Sequence, residues 1–252
     1  MKLHYKKFGQ GQPLLILHGL FGSADNWQTL AKKFSEYYTV YLIDQRNHGH
    51  SPHEENINYD LMADDLNELI ENENLNDITL LGHSMGGKTA MRFSQKYPSS
   101  ISKLIIVDIG RKEYPMHHDK IIQGLSAIDL NIIKSRNGAR EILSNYVVEE
   151  SLLQFLLKNL YWIEKGQLAW RMNLPVIVKN MKMILAKIPA EIVLTPTLFL
   201  KGEKSNYIEE SDFNDLMYYF PNSEIETIYN AGHWLHAENP IDFYQLTMDF
   251  LK

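Results

Sequence analysis

Ile78-Thr79-Leu80-Leu81-Gly82-His83-Ser84-Met85-Gly86-Gly87-Lys88 decides how this chain folds. Residues 78–81 form a short β-branched and apolar run that suits a buried strand, and residues 85–97 carry a helical pattern. Between them stands a serine in a G-x-S-x-G turn. A bend this tight holds its middle residue in a strained conformation, and small neighbours keep side chains out of the approaching backbone. Ser84 is expected to project above the sheet at a helix N-terminus, where partial positive charge favours a developing anion. The pentapeptide alone recurs by chance. Its place between strand and helix marks Ser84 as a candidate nucleophile, against the plainer reading of a glycine-rich turn with an incidental serine.

The same strand-then-helix rhythm extends outward. Further strand-like runs lie at 14–17, 40–43, 104–107, 197–200 and 225–228, and helical candidates at 26–36, 59–73, 209–220 and 239–251. Continuous apolar runs suit parallel strands covered on both faces, so the alternation predicts an α/β chain with a mostly parallel, twisted, doubly wound sheet flanked by helices. Residues 2–8, followed by Gly9-Gln10-Gly11, read as an extra antiparallel edge strand. In the 59–73 helix, Asp60, Leu61, Asp64, Asp65 and Glu68 are expected outside and Leu66, Leu69 and Ile70 inside. The rhythm breaks over 111–190, which is helical in pattern and rich in large apolar residues. It is expected to form a helical cap inserted into a core made of 1–110 and 191–252.

At 252 residues the chain is long enough for one large core. A net charge of −6 offers no broad attraction to nucleic acid or anionic membranes, and neither is expected as a partner. The absence of cysteine excludes disulfides, thiolate metal sites and cysteine catalysis. No run approaches the ~18 apolar residues of a membrane span, and the first residues lack the apolar stretch of a signal peptide. A soluble, cytoplasmic protein is expected, as a monomer or small homo-oligomer, with no metal or organic cofactor.

Other candidate residues sit where strands end. His18-Gly19-Leu20-Phe21-Gly22 follows run 14–17. An oxyanion forming on a carbonyl attacked by Ser84 needs two convergent backbone amides, assigned to Met85 and Leu20, with Phe21 as the alternative to Leu20. His233, in Ala231-Gly232-His233-Trp234, follows the last strand and can reach the serine as its base, at the edge where open α/β sheets carry their sites. His18, His83 and His236 are read as braces of their loops, and His48, His50, His53, His117 and His118 as solvated. Asp44 is expected to hold the loop 46–51.

These residues carry a family resemblance. His18-Gly19, Asp44-Gln45-Arg46-Asn47-His48-Gly49-His50-Ser51, Gly82-His83-Ser84-Met85-Gly86-Gly87-Lys88 and Gly232-His233-Trp234 together resemble the α/β-hydrolase superfamily, and more narrowly the YbfF-type bacterial esterases and ABHD11-like hydrolases. The resemblance implies the α/β-hydrolase fold and cleavage of a carboxylic ester or thioester through a Ser-His-acid triad. Many superfamily members place the acid in a strand-Gly-x-x-Asp pattern, but the loop here reads Gly202-Glu203-Lys204-Ser205, with serine at that position. The subfamily resemblance implies Asp108 instead, which ends run 104–107; Glu203 is the alternative, and a capping role is the plain reading of Asp108. Phe21, Trp162, Arg171 and Trp234 are candidate substrate contacts, though aromatic residues in a cap are more often its core. Other Ser-triad chemistries on this fold, namely acyl-CoA thioesterase, C–C hydrolase or peptidase, stay open, as does a non-catalytic binding module.

Overall fold

The computed structural model describes residues 1–252. In chain order it runs β1 (Tyr5–Phe8), β2 (Pro13–Leu17), α1 (Gln28–Phe34), β3 (Thr39–Ile43), α2 (Tyr59–Asn72), β4 (Ile78–His83), α3 (Met85–Lys96) and β5 (Ile101–Val107). Then follow α4 (Asp119–Ser126), α5 (Arg136–Leu143), α6 (Glu150–Leu157), β6 (Leu160–Glu164), β7 (Gln167–Trp170), α7 (Leu174–Lys179) and α8 (Met181–Leu185). The chain ends with β8 (Thr197–Gly202), α9 (Phe213–Tyr219), β9 (Ser223–Ile228), α10 (Leu235–Glu238) and α11 (Pro240–Leu251).

Seven strands form one sheet in the order β1-β3-β2-β4-β5-β8-β9, all parallel except the edge strand β1, which pairs antiparallel with β3. Alternate residues of each strand feed opposite faces. Leu14 and Ile16 join Phe34 of α1 and Phe243 of α11 on one side, while Leu15 and Leu17 join Leu66 of α2 and Met91 of α3 on the other. Both faces are therefore covered, which is why the strands read as continuous apolar runs. Strand order reverses between β3 on one side of β2 and β4 on the other, and the crevice at such a reversal is where open α/β sheets carry sites. The register Leu17↔Gly82, His83↔Val107 and Val107↔Leu200 brings the carboxyl ends of β2, β4, β5 and β8 level.

Two expectations need correction here. The inserted stretch is not wholly helical, because β6 and β7 form an antiparallel hairpin around Lys165 and Gly166, whose positive φ of 86° suits a turn. Asp65 is not on the outer face of α2: it is buried and accepts from Arg46 Nε at 2.6 Å and Nη2 at 2.8 Å. That pair ties the 46–51 loop to the helix. Leu125, Leu143, Leu156 and Ile177 of the inserted stretch join the same apolar cluster as Leu15 and Leu66, so it packs as part of the core.

Candidate active site

Ser84 sits between β4 and α3 with φ 53° and ψ −118°, a left-handed conformation that costs a non-glycine residue about 1–3 kcal/mol. The neighbours explain how it is held. Ser84 N–H donates to Val107 O at 3.0 Å, and a Cβ on Gly82 would stand 2.2 Å from Gly86 O, so only glycine closes the bend. Gly19 makes the second close approach, where a Cβ would come within 3.2 Å of Ser84 Cβ. The 18–22 loop therefore lies against the serine.

That loop is fixed by two buried histidines with defined tautomers. His18 Nδ1–H donates to Gly19 O at 2.8 Å while its Nε2 accepts from Gln45 N at 3.0 Å. His48 Nδ1–H donates to Arg46 O at 3.0 Å, and its Nε2 accepts from Phe21 N at 3.3 Å. Phe21, itself at φ 59°, thus has its amide engaged, whereas the amides of Leu20 and Met85 find no acceptor in the protein. From the inserted stretch, Asn159 Nδ2 donates to Phe21 O at 2.8 Å. His48 is fully buried rather than solvated, and burial pushes its pKa down to about 3. Asp44 holds both flanking loops, accepting from Ala24 N at 2.7 Å and His50 N at 2.9 Å.

His233 Nδ1–H donates to Asp108 Oδ2 at 2.8 Å, which leaves Nε2 facing outward from that pair. Asp108 is fully buried at the end of β5, with φ 49°. Its Oδ1 accepts from Gly202 N at 3.0 Å, and Oδ2 also accepts from the Ser205 hydroxyl. The serine at the position of the common superfamily acid is therefore a donor to the carboxylate on the neighbouring strand. Glu203 is engaged elsewhere, accepting from Asn230 N at 2.8 Å. Tyr207 stacks on the His233 ring at 3.8 Å and 14°, and His83 Nε2–H donates to His233 O at 2.9 Å. Sequence reading missed Ser205 and Tyr207 as site residues. The hydroxyl three residues after Gly202 was the available signal.

Ser84 and His233 line one cavity of about 110 Å³, with Phe21, Phe155, His118 and Trp234 among its walls. No hydrogen bond joins Ser84 to His233; such contacts commonly tighten only when substrate is in place. His118 is half-buried in this wall rather than solvated, with its pKa pushed down to about 3 by burial. His236 is buried and stacked on Trp27 at 4.1 Å.

Two expected substrate contacts fall outside. Trp162 lies on the hairpin with 45% of its surface exposed, away from the cavity, because its strand covers the core with only one face. Arg171 stacks over the Tyr161 ring at 4.3 Å and approaches His50 Nδ1 at 3.2 Å, bracing the hairpin against the 46–51 loop. Phe21 and Trp234 do line the cavity.

Residues 12–133 match the α/β-hydrolase fold family. The chain belongs to that family, and it is an enzyme, a hydrolase of the esterase/lipase type. It is 36% identical to esterase YbfF of Escherichia coli across 90% of this chain and 88% of the relative. It is 37% identical to the sn-1-specific diacylglycerol lipase ABHD11 of Danio rerio, across 97% and 80%. Among solved structures, a marine microorganism esterase superposes with TM-score 0.96 at 44% identity, over 99% of both chains. No helix is long and apolar enough to cross a membrane.

Proposed function

We propose that the protein hydrolyses carboxylic esters of small to medium acyl groups through a Ser84–His233–Asp108 triad and a covalent acyl-enzyme. The observation that carries this reading is the Asp108–His233 hydrogen bond, set beside a strained Ser84 on the wall of the same cavity. Asp108 fixes the tautomer that leaves Nε2 able to accept a proton, and it stabilises the imidazolium that follows.

The reaction runs in two halves. Ser84 Oγ bonds to the ester carbonyl carbon as its proton passes to His233 Nε2. The carbonyl oxygen becomes an oxyanion held by the free amides of Leu20 and Met85. The bond to the leaving oxygen breaks, His233 returns the proton to it, and the alcohol departs. Water then adds to the acyl-enzyme with its proton passing to His233; the bond to Oγ breaks, Ser84 is reprotonated and the acid leaves. Ser205 keeps one lone pair of Asp108 occupied, and Tyr207 holds the plane of the imidazole. The esterase and lipase names of the relatives support ester substrates. A cytoplasmic setting fits a chain without cysteine.

Hydrolysis of p-nitrophenyl acetate tests the reading. Ser84→Ala and His233→Ala are expected to fold and to lose about 10⁴-fold or more in kcat. Wild-type turnover by the Ser84→Ala protein would overturn it.

A further inference from the structure

We infer that the site sorts the two ends of its ester by size: a short acyl group enters a small chamber beside Ser84, and a bulky leaving group lies in a larger groove beneath α6. This rests on the serine-hydrolase reading above and extends it to the substrate class.

His233 decides which space is which. The leaving oxygen takes its proton from the imidazole, so the leaving group lies on the His233 side and the acyl substituent points away from it. The cavity of about 110 Å³ contains His233 in its wall. It shares Asn26, Leu152, Phe155 and Trp234 with an adjoining groove of about 260 Å³. On the other side of Ser84, a chamber of only about 20 Å³ is lined by Leu20 and Met85, whose amides are the free donors, and His233 is absent from its wall.

The chamber cannot widen cheaply. Ile109, Ile184 and Leu185 are buried in its wall. The Tyr59 hydroxyl donates to Ile184 O, and Tyr114 donates to Tyr207 O at 2.7 Å. The Lys88 ammonium donates to Lys112 O at 2.8 Å and also to the carbonyls of Leu185 and Ala186. The polar groups of Tyr59, Tyr114 and Lys88 are thus spent on the protein itself, and His117 and His118, shared with the larger cavity, complete the polar part of the wall. A space of about 20 Å³ exceeds one water-sized probe of roughly 10–15 Å³ by little, whereas a cavity that holds benzene measures about 150 Å³. An acetyl methyl fits the chamber and an octanoyl chain does not, while the groove takes a ring system.

The test is a two-way series with purified protein. One arm uses p-nitrophenyl acetate, butyrate and octanoate; the other uses acetates of ethanol, benzyl alcohol and 2-naphthylmethanol. Acetate is expected to exceed octanoate by about 10-fold or more in kcat/KM, and 2-naphthylmethyl acetate to exceed ethyl acetate by about 10-fold. Ile184→Ala should raise the octanoate-to-acetate ratio about 10-fold, and the milder Ile184→Val should raise it less. Phe155→Ala should narrow the alcohol preference without moving the acyl ratio. Octanoate turned over as well as acetate by the wild type, or an acyl ratio that responds to Phe155→Ala but not to the Ile184 variants, would overturn the assignment. A wild type that turns over no ester, and whose Ser84 a fluorophosphonate leaves unmodified, would remove the underlying reading and this proposal with it.

Discussion

At the scale of single residues, the acid is where sequence and structure inform each other most. Asp108 and Glu203 both follow strands that end level with Ser84, and periodicity does not choose between them. Burial and direction favour Asp108 in the proposed triad. Asp108 is enclosed and bonded to His233, Gly202 and Ser205, whereas Glu203 caps the Asn230 amide. Asp108→Asn is accordingly expected to lower kcat by on the order of 10⁴-fold and Glu203→Gln to change it by less than about 3-fold, both read on one ester under saturation. A large loss confined to the Glu203 variant would reverse the assignment. That Ser84, His233 and the Leu20 loop meet around one cavity was legible because strand, turn and glycine signals are local. Trp162 and Arg171 were misplaced for the opposite reason: what a residue in an inserted segment faces depends on how that segment packs. His48 was misread because a loop rich in polar residues looks solvated until its partners, here Arg46 O and the Phe21 amide, are known.

Among elements, the βα units were readable almost to their ends, and the inserted stretch was not. Leu160, Tyr161 and Trp162 resume the apolar pattern of α6 after only Lys158 and Asn159, so the pattern carries on where the backbone changes to strand. The turn itself is marked by Glu164, Lys165 and Gly166. One tie between α3 and this stretch is Lys88, whose buried ammonium reaches carbonyls at the end of α8 and faces the Tyr114 ring at 4.8 Å. Burial pulls its pKa from 10.5 down to about 7. Between those values the unfolded chain binds a proton that the folded protein has released, so Lys88 adds stability as pH rises from about 7 and withdraws it as pH falls back. The unfolding free energy of the wild type relative to Lys88→Met, measured in urea, should therefore increase between pH 7 and pH 9. An unchanged difference would contradict this.

Over the whole molecule, His18, His48, His83 and His236 are buried, and desolvation lowers the pKa of each below the ordinary 6.5, to about 3 for His48 and His236. Below pH 6.5 the unfolded chain takes up protons these rings refuse, so stability falls with acid through a window reaching down towards pH 3. Urea unfolding at pH 5.5 should show a loss on the order of 1 kcal/mol from each of His48 and His236 relative to pH 7.5, and a flat profile would contradict it. The same packing that strips these rings of water carries the site: loops at one sheet edge converge on a cavity in which a strained serine and an aspartate-bound imidazole share the wall. Fluorophosphonate labelling followed by mass-spectrometric peptide mapping tests that convergence most directly. One label per chain is predicted, on Ser84, with the rate falling about 100-fold or more in His233→Ala. A label on any other residue, or a rate indifferent to His233, would contradict the account.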